Sequence, residues 1–266
     1  MKRREMLTSA AAIAAAPLAA CAQGSAGKAS GGRQILELRK YSLVPGEKKQ
    51  KFVDFIGKTA IPALNRIGVS PVGAFTVQDG QDLPDDSLYL LLPYPSLEAW
   101  STAKYRLAAD KQFMADGGEV LNAPMSDPAY LRVESTLMHA FKDLPTVVIP
   151  PQKKEGKSRI FQLRDYESHN VKAAIKKIHM FNEGGEIQIF RDTGFNPVFY
   201  GEVMAGANMP NLVYMLCHSD MAEHDASWKA FRESDGWNTL KADPQYKDTV
   251  SHITNILLQP TEFSQL

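Results

Sequence analysis

Apolar and polar residues alternate along residues 35–41, and the same alternation returns at residues 160–166. The two segments read Ile-Leu-Glu-Leu-Arg-Lys-Tyr and Ile-Phe-Gln-Leu-Arg-Asp-Tyr, and they begin 125 residues apart. Alternation with a period of two predicts a β-strand that has one apolar face and one polar-aromatic face. Similar patterns follow each segment, so the sequence indicates one supersecondary unit used twice.

The first unit is predicted to continue with a helix over residues 47–66, because Phe52, Phe55 and Ile56 recur at helical spacing. Turn residues then separate two apolar segments that are typical of strands. The other elements predicted for this unit are strands over 72–77, 87–94 and 130–141, a helix over 96–107 and a polar helical segment over 110–120.

The second unit repeats this order with variations. Its first helix is predicted from residues at helical spacing, and we expect it to continue to residue 187 despite Gly184 and Gly185. Those spaced residues are Val171, Ala174, Ile175, Ile178 and Phe181. The remaining predictions are strands over 198–203, 211–218 and 251–259 and a helix over 226–240.

A β-α-β-β-α-β order predicts a ferredoxin-like unit, in which helices cover one face of an antiparallel sheet. We therefore predict an α+β fold of two tandem ferredoxin-like repeats, at 34–142 and 159–266, whose sheets pack together as a dimeric α+β barrel within one chain. Residues 143–158 contain three prolines and a Lys-Lys pair, which predict an exposed linker.

The first 20 residues have the pattern of an export signal, and Arg3 and Arg4 suggest the twin-arginine route. The apolar part is shorter than the roughly 20 residues that a membrane-spanning helix needs. Leu-Ala-Ala-Cys resembles a lipobox that would acylate Cys21, with ordinary cleavage nearby as the alternative. The sequence thus predicts a protein on the periplasmic side of a bacterial membrane, anchored by lipid through a flexible tether at 21–33.

The charge composition of the chain excludes nucleic acid as a partner. The chain has 30 basic and 30 acidic residues, so it lacks the basic surface that nucleic-acid binding requires. The other cysteine, Cys217, lies in an apolar strand, and we expect a buried, inert thiol there. We therefore expect no intramolecular disulfide in the acylated protein.

Several strings resemble the NIPSNAP family: Met-Phe-Asn-Glu-Gly-Gly-Glu-Ile-Gln-Ile-Phe-Arg at 180–191, Pro-Val-Phe-Tyr-Gly-Glu at 197–202, Met-Pro-Asn-Leu-Val-Tyr-Met-Leu at 209–216 and Pro-Thr-Glu-Phe-Ser at 260–264. Residues 36–41, with Pro45 and Gly46, fit the family as well. The resemblance covers nearly all of residues 34–266 and implies a tandem dimeric α+β barrel, without a settled reaction. His218 and His224 depart from the family's usual aromatic residue and arginine.

The candidate site consists of polar residues on the sheet face that we expect to lie opposite the helices. Two arginines meeting there would suit the carboxylate of a small anionic molecule. Alternatively, each arginine pairs with a glutamate to satisfy a buried interface between sheets. The candidates are Glu37, Arg39, Tyr41, Tyr94, Gln162, Arg164, Tyr166, Glu202, Tyr214 and His218.

The sequence contains no recognisable catalytic motif, and His218 and His224 lack the spacing of a zinc site. We expect a protein that binds a small molecule or a protein partner, without a predicted metal or cofactor. The alternatives are a cofactor-independent monooxygenase or a haem enzyme in the barrel cavity, with His218 as a candidate base, and a structural module that forms homo-oligomers. Trp100, Trp228 and Trp237 are expected to pack helices on the sheet, and Lys177 to lie on a solvated face.

Overall fold

The computed structural model describes residues 32–81 and 86–266, which form one unit. In the first repeat, a π-helical turn (Ile56–Ala60) joins α1 to α2. The elements of this repeat are β1 (Ile35–Leu43), α1 (Glu47–Phe55), α2 (Ile61–Arg66), β2 (Gly73–Val77), β3 (Ser87–Tyr94), α3 (Leu97–Ala109), α4 (Lys111–Asp116), α5 (Gly118–Leu121) and β4 (Tyr130–Ala140).

The second repeat follows a short helix, α6 (Pro151–Lys154), and has the same order. Its elements are β5 (Ile160–Glu167), α7 (Val171–Phe181), α8 (Glu186–Asp192), β6 (Asn196–Ala205), β7 (Asn211–His218), α9 (Met221–Glu233), α10 (Asp235–Ala242), a 3-10 turn (Pro244–Tyr246) and β8 (His252–Pro260). None of the helices in the described ranges is long and apolar enough to cross a membrane.

The eight strands close into an antiparallel barrel in the order β1-β3-β2-β8-β5-β7-β6-β4. Each repeat contributes four adjacent strands. The repeats join at two short seams, where Leu137–Ala140 of β4 pairs with β6 and Phe75–Val77 of β2 pairs with β8. This architecture confirms the predicted α+β fold of two ferredoxin-like repeats.

The barrel interior is filled by apolar side chains from both repeats. Phe75 and Phe161 meet there with their ring centroids 4.7 Å apart. Two further apolar clusters lie outside the barrel, between its outer face and the helices of each repeat. The interior cluster includes Leu36, Leu38, Phe75, Tyr89, Leu91, Met138, Phe161, Leu163, Phe199, Met215 and Leu258.

The prediction of one continuous helix to residue 187 is wrong. Helix α7 ends at Phe181 and α8 begins at Glu186, because Gly185 has a positive φ of 86° that L side chains rarely adopt. The residues that α7 buries include Ala173, Ala174 and Lys177. Val171 and Ile175, which we expected on the buried face, are 64% and 59% exposed.

Two other expectations need correction. Helix 226–240 is interrupted at Ser234, whose Oγ accepts a hydrogen bond from the backbone N–H of Trp237 and caps α10.

The connection between the repeats is only partly exposed, since Val147 and Gln152 are buried and Val147 packs into the barrel interior. A segment rich in proline can still close one end of a barrel when an apolar side chain points inward.

Candidate functional site

The polar-aromatic faces of β1 and β5 lie under the helices, and the apolar faces line the barrel interior. Tyr41 of β1 packs against Phe52 of α1, and Tyr166 of β5 packs against Phe181 of α7. The expectation that these polar faces lie opposite the helices is therefore wrong. The reason is that apolar side chains pack the barrel interior, where an unpaired charge would be costly, so the more apolar face of each strand turns inward.

In the first repeat, side chains on the polar face form hydrogen bonds with the buried carboxylate of Glu37. Arg39 donates two hydrogen bonds to it, of 2.8 and 2.9 Å, from Nε and Nη2. The hydroxyls of Tyr94 and Ser135 donate two more, of 3.0 and 2.7 Å. Burial alone would raise the pKa of Glu37, but the hydrogen bonds and charge of Arg39 outweigh burial and lower it. This site is structural pairing between an arginine and a glutamate.

The same positions in the second repeat carry different residues. Gln162 stands where the first repeat has Glu37, His218 where it has Tyr94, and Asn255 where it has Ser135, according to the strand registers. The Gln162 amide donates to Asn255 Oδ1 (2.7 Å) and accepts from Trp228 Nε1 (2.8 Å). The second repeat has thus replaced a buried carboxylate with a neutral amide.

Arg164, the equivalent of Arg39, is left without that carboxylate. It forms no salt bridge with any residue that the structure describes, and its buried Nε has no hydrogen-bond partner. Its guanidinium carbon lies 4.5 Å from the ring centroid of Trp228 and 5.3 Å from that of Tyr166. Two aromatic rings therefore contact a cation that has no carboxylate within salt-bridge distance among the described residues, although its charge, after that of Lys177, opposes the rise in the pKa of Glu186.

Arg164 lines a cavity of about 790 Å³ between β5 and β8 on one side and the helices of the second repeat on the other. Every lining residue comes from the second repeat, so the structure does not bring Arg39 and Arg164 together as we expected. The lining residues are Gln162, Arg164, Tyr166, Lys177, Met180, Glu186, His224, Asp225, Trp228, Phe231, Arg232, Trp237, Lys241, Tyr246, Asp248, Thr249, Val250, Ile253 and Asn255.

A buried ion pair forms part of the cavity wall. Lys177 Nζ lies 2.7 Å from Glu186 Oε2, and both side chains are almost inaccessible to solvent. Burial raises the pKa of Glu186, and the charge and hydrogen bond of Lys177 oppose that rise only in part. The ring centroid of Phe181 lies 4.8 Å from Nζ. The expectation that Lys177 belongs to a solvated face is wrong.

The remaining candidate residues lie around the cavity or away from it. Tyr166 lines the cavity, and its hydroxyl accepts a hydrogen bond of 2.9 Å from the buried Tyr214. Glu202 lies outside the cavity, on β6 opposite His139 of β4. His218 is fully buried, and neither of its ring nitrogens has a hydrogen-bond partner among the described residues. It contacts His224, with the two ring centroids 5.1 Å apart.

Sequence reasoning missed the two residues of the buried ion pair and treated Trp228 and Trp237 as helix packing only. Lys177 did carry a signal, because it stands three residues after Ala174 and four before Phe181, on the face that α7 buries. Glu186 carried none, since its approach to Lys177 depends on the turn at Gly185. Arg3, Arg4 and Cys21 lie outside the described residues, and within 32–81 and 86–266 no cluster of histidine, cysteine and carboxylates is arranged to hold a metal ion.

A family model described as NIPSNAP matches this chain twice, at residues 36–142 and 161–265. The two matches coincide with the two repeats of the barrel. Among proteins with curated functions, none matches the sequence significantly.

Solved structures share the fold at low sequence identity. A Lactobacillus acidophilus protein described as a "putative monooxygenase" is 12% identical, with a TM-score of 0.54 over 86% of this chain and 94% of its own. A Fusobacterium nucleatum protein with the same description is 11% identical, with a TM-score of 0.53 over 86% and 93%. A NIPSNAP family protein of unknown function from Agrobacterium tumefaciens is 20% identical over 41% of this chain and 94% of its own, with a TM-score of 0.36.

Proposed function

This chain belongs to the NIPSNAP family, and from that premise we propose that its second repeat binds a small molecule through a carboxylate held by Arg164. The internal comparison of the two repeats carries the proposal. In the first repeat the equivalent Arg39 binds the carboxylate of Glu37 with two hydrogen bonds. In the second repeat the arginine remains, the internal carboxylate is gone, and a cavity lies where a ligand could supply another.

The size and polarity of the cavity support this function. Its volume of about 790 Å³ lies within the range of small-molecule sites, and five aromatic side chains share its lining with charged and amide groups. An arginine in such surroundings favours a carboxylate, because its planar fork can donate two parallel hydrogen bonds to the two oxygens. The buried Nε of Arg164, which has no hydrogen-bond partner in the part of the chain that the structure describes, is one such donor.

The test restores the internal carboxylate. In the Gln162→Glu variant, the new side chain stands where Glu37 stands in the first repeat, so it should pair with Arg164 and compete with a ligand. We expect the affinity for carboxylates to fall about 10- to 100-fold, which is the usual effect of losing a charge-assisted hydrogen bond. Isothermal titration calorimetry with 2-naphthoate and with decanoate would measure this, and Arg164→Gln should behave in the same way.

The matched control is Glu37→Gln, which changes the equivalent position of the first repeat and should leave both affinities unchanged. Native mass spectrometry of protein purified from its own cells adds an independent measurement, since a small acid that co-purifies with wild type should be absent from Gln162→Glu. If neither 2-naphthoate nor decanoate binds more tightly to wild type than to Gln162→Glu and Arg164→Gln, the proposed function is wrong.

The packing of the described side chains in the barrel interior gives little support to the alternative of an enzyme, with or without haem, that uses the barrel cavity. Side chains such as Phe75, Phe161 and Met215 fill the interior. A pocket of about 180 Å³ reaches interior residues, including Leu38 and Leu163. It is smaller than the usual range of ligand sites. The two similar structures described as monooxygenases share the fold alone.

The proposal also includes export and a lipid anchor at Cys21, on the periplasmic side of a bacterial membrane. The support is the sequence of residues 1–21, with Arg3, Arg4 and the Leu-Ala-Ala-Cys string. The Cys21→Ser variant should move the protein from the membrane fraction to the soluble periplasmic fraction, because acyl chains hold it on the bilayer. Immunoblots of both fractions would measure this shift, and an unchanged distribution would contradict the anchor.

A further inference from the structure

We infer that the ligand of the second repeat is a planar aromatic monocarboxylate, an inference that rests on the proposed carboxylate site and specifies its chemistry. The observation behind it is the fixed position of Trp228 beside Arg164. The indole N–H of Trp228 donates to Gln162 Oε1 at 2.8 Å, and the amide of Gln162 donates in turn to Asn255 Oδ1 at 2.7 Å. These hydrogen bonds, with the edge contacts of Phe195 and Phe231, hold the indole in place, and the part of it that lines the cavity is a preorganised surface for another ring.

The first repeat has no tryptophan at the equivalent position of its helix. Counted from the capping residues Ser96 of α3 and Asp220 of α9, the position of Trp228 is occupied by Lys104. The tryptophan and the unpaired arginine therefore occur together in the second repeat, and both are missing from the first. Because the two differences coincide at one site, they indicate recognition of a ring and a carboxylate in the same molecule.

Other walls of the cavity favour a rigid planar molecule over a flexible aliphatic chain. Tyr166 and Trp228 each face the guanidinium of Arg164. Phe231 and Trp237 lie on the helix side, with centroids 4.7 Å apart. Aromatic rings gain energy from stacked and edge contacts beyond the area that they bury. The space of about 790 Å³ is large enough for a molecule with two fused rings.

The charge balance favours one carboxylate. Glu186 neutralises Lys177 at 2.7 Å, so this buried cation has its anion within the chain. Arg232 and Lys241 are exposed at the rim of the cavity together with Asp225 and Asp248, where water screens all four charges. Arg164 is therefore the cation in the cavity wall, among the residues described, that a buried ligand anion would meet.

The experiment compares 2-naphthoate with decanoate, a flexible acid with a similar number of carbon atoms, and with neutral 2-naphthalenemethanol. In wild type, 2-naphthoate should bind roughly tenfold more tightly than either. Trp228→Leu should remove the preference over decanoate while the preference over the alcohol remains. Trp228→Phe keeps a ring without the hydrogen bond to Gln162, so it should give an intermediate preference and provides a second variant should Trp228→Leu unfold.

The outcomes separate this inference from the proposed function. If decanoate binds wild type as tightly as 2-naphthoate, and Gln162→Glu weakens both, the carboxylate site stands and the aromatic ligand class is wrong. A preference for 2-naphthoate that persists unchanged in both Trp228 variants would also overturn the inference. If Gln162→Glu weakens neither acid, the carboxylate site itself is wrong, and this inference is wrong with it.

Discussion

Replacing Lys177 with methionine should lower the free energy of unfolding by about 3–5 kcal/mol, because it leaves a buried Glu186 without its cation. The two groups are 2.7 Å apart and almost inaccessible to solvent. Glu186 accepts that hydrogen bond in a place where burial already raises its pKa. Without Lys177, the free energy of unfolding therefore falls by the full cost of burying a carboxyl group that has no partner. Urea denaturation at pH 7 would measure the loss.

The control is the double variant Lys177→Met/Glu186→Leu, which removes both charges and should recover most of the lost stability. A second control is Lys58→Met, which breaks the ion pair with Asp54 on the exposed face of the first repeat. That pair is largely exposed, so its loss should leave the unfolding curve close to wild type. A decrease below about 1 kcal/mol for Lys177→Met would mean that the pair does not support the fold.

Acid should destabilise this protein through His218, and His218→Phe should abolish that effect. Burial, followed by the nearby His224, lowers the pKa of His218 from 6.5 to about 4. The unfolded chain therefore takes up a proton at this residue near pH 6.5, whereas the folded chain does so only near pH 4. Stability is retained above pH 6.5 and lost as the pH falls toward 4, by a total of roughly 3 kcal/mol.

The phenylalanine variant should also gain stability at neutral pH. Within residues 32–81 and 86–266, the two ring nitrogens of His218 have no hydrogen-bond partner, and the ring packs edge-on against Phe195, with centroids 5.6 Å apart. A phenyl ring fits an apolar contact without leaving polar atoms unpaired, so we expect a gain of about 1–3 kcal/mol. Denaturation curves at pH 7 and pH 5 would measure both effects. His169→Phe, at an exposed position, is the matched control, and equal pH slopes for wild type and His218→Phe would contradict the assignment.

The arginine on the polar strand face pairs with a carboxylate in the first repeat and lines a cavity in the second. The arginine of the first repeat pairs with Glu37 and supports the fold. The arginine of the second repeat lies in a cavity without a carboxylate within salt-bridge distance among the described residues. Duplication leaves one copy of a site free to change while the other continues to stabilise the barrel. The difference between Glu37 and Gln162 accounts for these two arrangements of the arginine, because an amide cannot neutralise a guanidinium.

The duplication and the barrel could be predicted from the sequence alone. Alternation at 35–41 and 160–166, with helical spacing between strands, depends on local geometry that each repeat keeps. The placement of arginine and tyrosine on the same face of β1 and of β5 has the same origin. Pairing of Arg39 with Glu37 was also among the alternatives, because residues i and i+2 of a strand share a face.

Only the tertiary structure decided which face of each strand turns inward and where the cavity lies. Both faces of β1 and β5 are largely buried, by the barrel interior on one side and by helices on the other, so alternation of polarity could not assign them. Likewise, Lys177 meets Glu186 only because Gly185 breaks the helix and returns the chain. Local patterns determined the elements of this protein. Contacts between distant elements determined the charges that pair and left Arg164 without a carboxylate partner among the residues described.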